Sequence, residues 1–209
     1  MKTKEFIITL FLILVLLIVY GFFPAKNSFQ QLIVVAVFFV IIPIIFNKLI
    51  LKRKLSSIGL GIGSWKQGVI WGGICLIAGG IILFGSIYFF NFLKHYTIQA
   101  IIAQNYKNFL FYEFVYVLPI VFVYEFFFRG FIMLTIEIKT YYWAIVAQAL
   151  VFFILILATK SFVWALFPYI IGAPLAGIVA YKSRSIFYST GFQFIMIIIL
   201  DAGIVRLIK

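Results

Sequence analysis

Apolar residues run through this chain in long stretches, separated by short segments that hold most of its charges. The runs cover about residues 6–23, 29–50, 67–90, 109–136, 141–158, 162–181 and 186–208. About 20 apolar residues in a helix cross a bilayer, so each run is predicted to be a transmembrane helix. The alternating segments of about ten residues that mark a transmembrane barrel do not occur in the sequence. The prediction is an all-α, polytopic transmembrane helical bundle of about seven spans. Span six is expected to be interrupted at Pro168, Gly172 and Pro174. Span one follows Lys2 and Lys4. Its apolar run is too long for an ordinary signal-peptide core and no small-residue cleavage site follows, so it is expected to be a retained anchor.

Composition agrees with this class. Hydrophobic residues make up 66% of the chain and charged residues 11%, where a soluble domain carries about 25% charged residues. The net charge of +12 raises the question of nucleic acid. The basic residues lie between apolar runs rather than on a basic face with stacking aromatics, so no nucleic-acid partner is expected. Membrane lipids with anionic headgroups are the expected partners. With the N-terminus inside, the cytoplasmic segments hold Lys2, Lys4, Lys48, Lys52, Arg53, Lys54, Lys66, Lys139, Lys182 and Arg184. The outer segments hold Lys26, Lys94, Lys107, Lys160, Arg206 and Lys209. Ten against six favours a cytoplasmic N-terminus, and the setting is the cell membrane. The lone Cys75 excludes an intrachain disulfide and reads as a packing residue.

The chain reads as one integral membrane domain over 1–209, with two N-terminal spans in 1–47 and a core in 48–209. Between Lys48 and Lys66, Ser56, Gly59, Gly61 and Gly63 predict a turn leading into a helix near Trp65. Gly68 and Gly72 make a small-xxx-small pair of the kind that lets helices approach closely.

Within span four, Glu125 and Arg129 are the charges that lie deepest. One charge at the centre of a transmembrane helix costs about 2.5–3.5 kcal/mol on insertion scales. Opposite charges four residues apart share a helical face and can neutralise each other. The pair is read three ways: a neutralised structural pin, a reactive carboxyl, or a binding site for a ligand or partner. Glu113 and His95 are expected at interfaces or in loops. Asp201 is expected beside Arg206 at the outer interface, with a polar wall formed with Gln193 and Glu125 as the alternative.

The run Tyr124-Glu125-Phe126-Phe127-Phe128-Arg129-Gly130-Phe131 resembles the first motif of the CPBP family, the CAAX proteases and bacteriocin-processing proteins also called Abi. That motif is E-E-x-x-x-R, with an aromatic before the Arg and Gly after it. Tyr124 stands at the first glutamate position, Glu125 at the second and Arg129 at the arginine. Ile58-Gly59-Leu60 with Trp65, and Gly172 to Gly177 followed by Tyr181-Lys182-Ser183-Arg184-Ser185-Ile186, resemble the family's core entrance and its penultimate helix with a basic turn. The likeness covers about residues 48–200.

The resemblance implies a membrane endopeptidase scaffold in which a glutamate and a histidine activate water, while a second histidine and an Asn stabilise the oxyanion. On this chain the second motif aligns Phe152 with its aromatic and Ile156 with its histidine. The third puts Gln193 at a histidine and Ile197 at the amide or acid. Isoleucine neither moves a proton nor donates a hydrogen bond, and Gln donates but is no base. One carboxylate with Tyr and Gln makes a poor zinc site, so no metal and no cofactor is expected. The leading expectation is a degenerate, non-catalytic member that binds or regulates a membrane-protein partner or peptide, or confers bacteriocin-type immunity. Glu125 and Arg129 are then the remnant of a catalytic site. The alternatives are an active CAAX-type endopeptidase using Glu125, and a small transporter-like protein.

Overall fold

The structure is a computed structural model, and it describes residues 3–23, 28–90, 92, 105–136, 141–159 and 164–208. His95, Lys2, Lys26, Lys94, Lys139, Lys160 and Lys209 lie outside the described residues, as do the side chains of Tyr141 and Tyr142. Among the described residues the chain is helical, with no strand. Helix α1 is Thr3–Phe22. Helix α2 joins Ser28–Ala36, Val37–Ile41 and Ile42–Leu49, and α3 is Trp65–Phe90. Helix α4 joins Tyr106–Tyr112, Glu113–Val117, Leu118–Tyr124 and Glu125–Leu134. Helices α5 to α7 are Tyr141–Ala158, Phe167–Ser183 and Ile186–Ile208. Five of these, α1, α2, α3, α4 and α7, are long and apolar enough to cross a membrane, while the apolar part of α5 is shorter.

Two deviations inside these helices have a local cause. Val37–Ile41 and Glu113–Val117 are π-helical turns, and each is followed one residue later by a proline, Pro43 or Pro119. A proline ring crowds the carbonyl four residues back and removes one N–H, so the preceding turn widens to i→i+5 bonding. Pro174, by contrast, sits inside an unbroken α6, and Pro168 occupies its first turn. The expected interruption of span six is therefore absent. Pro168 falls where helical N–H groups have no partner in any case. Near Pro174, the carbonyl of Ala173 is taken up by Gln148 Nε2 at 2.8 Å, the kind of neighbouring-helix contact that lets membrane helices carry proline.

Helix α4 is the centre of the bundle. In its apolar window 72% of residues are buried, against 17% in α1 and 22% in α3. The outer faces of α1 and α3 carry exposed Ile7, Phe11, Val69, Ile70, Ile77 and Ile81, a surface suited to lipid. An aromatic core ties the N-terminal helices to α4. Phe39 stacks on Phe127 at 4.1 Å between ring centres, and Phe46 meets Phe131 edge-on at 6.0 Å. A second apolar cluster joins α3, α6 and α7 through Cys75, Leu83, Ala176, Val179 and Met196.

The turn between α2 and α3 threads between α4 and the α6–α7 corner, and glycines make room for it. Gly59 (φ 81°) accepts a hydrogen bond from Ile186 N at 3.0 Å, and Ser64 N donates to Ser183 O at 2.8 Å. A Cβ on Gly63 (φ 57°) would fall on the Ser183 carbonyl, and one on Gly130 would lie 2.5 Å from the Ile58 carbonyl. The corner itself is set by Arg184 in the left-handed region and by Ser185, whose Oγ accepts from Phe187 N at 3.3 Å and caps α7. At this same end Arg53 pairs with Glu5 at 2.9 Å, half-exposed. Asn105 marks the opposite end of α4, where its side chain caps the helix through Lys107 N.

Candidate functional site

The last segment of α4, Glu125–Leu134, is π-helical over ten residues, and every one of them is buried. In i→i+5 bonding, side chains four and five apart share a face. Glu125 thus faces Arg129, as an α-helix would also have placed it. Arg129 Nε lies 3.3 Å from Glu125 Oε1, and both side chains are 1% exposed. The contact is ionic but off-line. Among the described residues neither carboxylate oxygen, and neither Nε nor Nη2, gains a hydrogen bond of good geometry. The guanidinium also lies over the Phe152 ring, 5.8 Å from its centre. A cation over a desolvated ring gains up to about 2 kcal/mol.

The carboxyl of Glu125 faces Arg129 on its own helix and Ser189 on α7. Ser189 is fully buried, and its hydroxyl donates to the Ile186 carbonyl at 3.0 Å. The rings of Phe126, Phe127, Phe128 and Phe131 have no exposed surface. This arrangement can neutralise charge and fix the α4–α7 contact.

The other motif positions fall as follows. Tyr124 packs its ring against Phe39, Phe128 and Phe152 at 6.2, 6.2 and 5.7 Å, with Tyr20 nearest its hydroxyl. Ile156 belongs to the aromatic core with Phe128 and Phe152. Gln193 is buried on α7, one turn beyond Ser189, against Gly172 of α6. Ile197 sits one turn further, packed with Val117, Val121 and Phe194. Glu125, Arg129 and Phe152 thus come together, while Ile156 and Ile197 fill two different apolar clusters. Among the described residues no group of three or more His, Cys, Asp or Glu side chains could hold a metal.

At the far end of α4, Glu113 is fully buried and Asp201 is 3% exposed, so both side chains are packed inside the bundle. They face each other across α4 and α7. A shared face of α7, Ser189, Gln193, Ile197 and Asp201, is buried along its length. The four are spaced by four residues, which keeps them on one side of a helix. Glu125 and Ser189 lie at one end of this face and Glu113 with Asp201 at the other. Val117, Val121 and Ile197 separate them, so Glu125, Gln193 and Asp201 do not form one continuous polar wall. Ser189 and Gln148 were not singled out from sequence. Gln148 is a lone polar position in an apolar span, and that was the available signal.

No family model matches this chain, and neither the curated proteins nor the solved structures contain a match.

Proposed function

We propose that this chain is a non-catalytic membrane protein on a CPBP-like scaffold, set in the cell membrane with its N-terminus in the cytoplasm. It acts by binding: it holds or regulates a membrane-protein partner or peptide, or shields one as bacteriocin immunity proteins do. One observation carries the reading. The only carboxyl at the remnant motif is closed off at 1% exposure, ion-paired to Arg129 at 3.3 Å, and isoleucines stand at a histidine position and at the amide or acid position of the other motifs. Peptide hydrolysis requires a base for water and donors for the developing oxyanion, and Ile156 and Ile197 supply neither. The three segments that carry the likeness meet at Gly130, Ile58, Gly59, Ser183 and Ile186.

The test is a purified chain in lipid nanodiscs, incubated with prenylated C-terminal peptides and with leader peptides and read by mass spectrometry. No cleavage is expected, and Glu125→Gln should change nothing. Cleavage that Glu125→Gln abolishes would overturn the proposal in favour of the endopeptidase alternative. In the native membrane, photocrosslinking should trap a protein or peptide partner, and crosslinks to lipid alone would contradict the binding role.

A further inference from the structure

The second acidic site of the bundle has no role in the reading above. Glu113 sits in the π-helical turn ahead of Pro119 and has no exposed surface. Among the described residues neither of its carboxylate oxygens receives a hydrogen bond from a protein donor. Asp201 of α7 faces it, 3% exposed. The packing on either side fixes this register independently. Phe114 meets Phe194 at 5.2 Å between ring centres. Towards the end of the bundle, Phe109 lines a cavity with Ala202 and Val205.

Two ionised carboxylates cannot share one buried site, because each raises the cost of the other's charge. Some cation must join them. Hard metal ions take six or more oxygen ligands in this kind of site. Here two carboxyls are accompanied by the phenols of Tyr112, on the same helix, and Tyr169 of α6, which is too few good ligands. Lys107 and Arg206 lie beyond the pair, and both are exposed. A proton requires only two oxygens.

We propose that Glu113 and Asp201 form a proton-binding site that holds one proton between their carboxyl oxygens and carries one net negative charge. Two observations stand behind it besides the pairing of acids. Glu113 is a fully buried polar side chain without a protein donor, and it is turned towards Asp201. A cavity of about 240 Å³, lined by Asn105, Tyr106, Phe109, Ala202, Val205 and Arg206, opens one turn outside it. Asn105, Tyr106 and Arg206 are exposed, so the cavity opens to water at that end of the bundle and ends about one helical turn short of the pair. Buried acids of this kind mark proton pathways in membrane proteins. Towards Glu125 the α4–α7 contact becomes apolar at Val117, Val121 and Ile197. The site therefore exchanges its proton with one side only and does not conduct.

Asp201 is the only aspartate in the sequence, which makes the test unambiguous. The full chain is placed in nanodiscs with aspartate isotope-labelled at its carboxyl carbon, and infrared difference spectra are taken between neutral and alkaline pH. A label-sensitive carboxyl change is expected, and Glu113→Gln should abolish it, because the amide donates to a permanently ionised Asp201. Glu125→Gln should leave it in place. An Asp201 signal unchanged between neutral and alkaline pH overturns the proposal, and that reading needs no variant to fold. A signal that calcium or magnesium removes at submillimolar concentration overturns it in favour of a metal site.

Discussion

Helix α4 carries two buried acids about twelve residues apart, roughly 18 Å along the axis at the α-helical rise, and the fold treats them in opposite ways. Glu125 faces a cation, Arg129, at 3.3 Å, and the cation also lies over the Phe152 ring. Glu113 faces a second acid. Both face α7, both lie in π-helical turns, and both are almost wholly buried. Burial alone therefore does not say what a membrane carboxyl is for. The partner does. An opposite charge makes the group a fixed structural element whose loss leaves its partner uncompensated. A like charge makes it a group whose state depends on what it binds from outside.

This contrast can be broken most sharply at Arg129. Arg129→Leu leaves a lone carboxyl in the core, and breaking a buried pair in this way costs about 3–5 kcal/mol. The double change Glu125→Gln, Arg129→Leu should recover most of that loss. Equal denaturation curves for the single and double variants, measured in mixed detergent, would mean that the pair is not buried as described. The smaller effect is expected at the other acid. Glu113→Gln removes one of two like charges and supplies an amide donor to Asp201, so stability should stay within about 1 kcal/mol of the parent or rise. A loss there as large as for Arg129→Leu would erase the difference between the two sites.

Much of the fold was legible in the sequence, because membrane spans are written in length and apolarity. The seven runs correspond to α1 through α7 within a few residues at each end, and the 55–64 turn was marked by Gly59 and Gly63. The continuity of α6 was not legible, since whether Pro174 breaks a helix depends on what packs around it, and Gln148 comes from another helix. The π-helical course of Glu125–Leu134 left no trace in the residue pattern either. An α-helix and a π-helix both bring residues four apart together, so the Glu125–Arg129 pair was foreseen from geometry that differs in detail from the one adopted. The Glu113–Asp201 pair was missed for a plainer reason. Each residue lies near the end of its apolar run, where an interfacial position is the ordinary expectation. Only the antiparallel register of α4 and α7 brings them face to face inside the bundle.

The Glu125–Arg129 pair is closed off from the surface at 1% exposure. Ser189, fully buried beside Glu125, is the place to probe it. The lone native thiol is removed by Cys75→Ala, Ser189→Cys is introduced, and the chain in nanodiscs is exposed to a water-soluble maleimide, with Ser57→Cys in the exposed turn as the reactive control. The account predicts that the thiol at 189 stays unmodified while that at 57 reacts to completion. Modification at comparable rates would place water against Glu125 and contradict the closed, non-catalytic site.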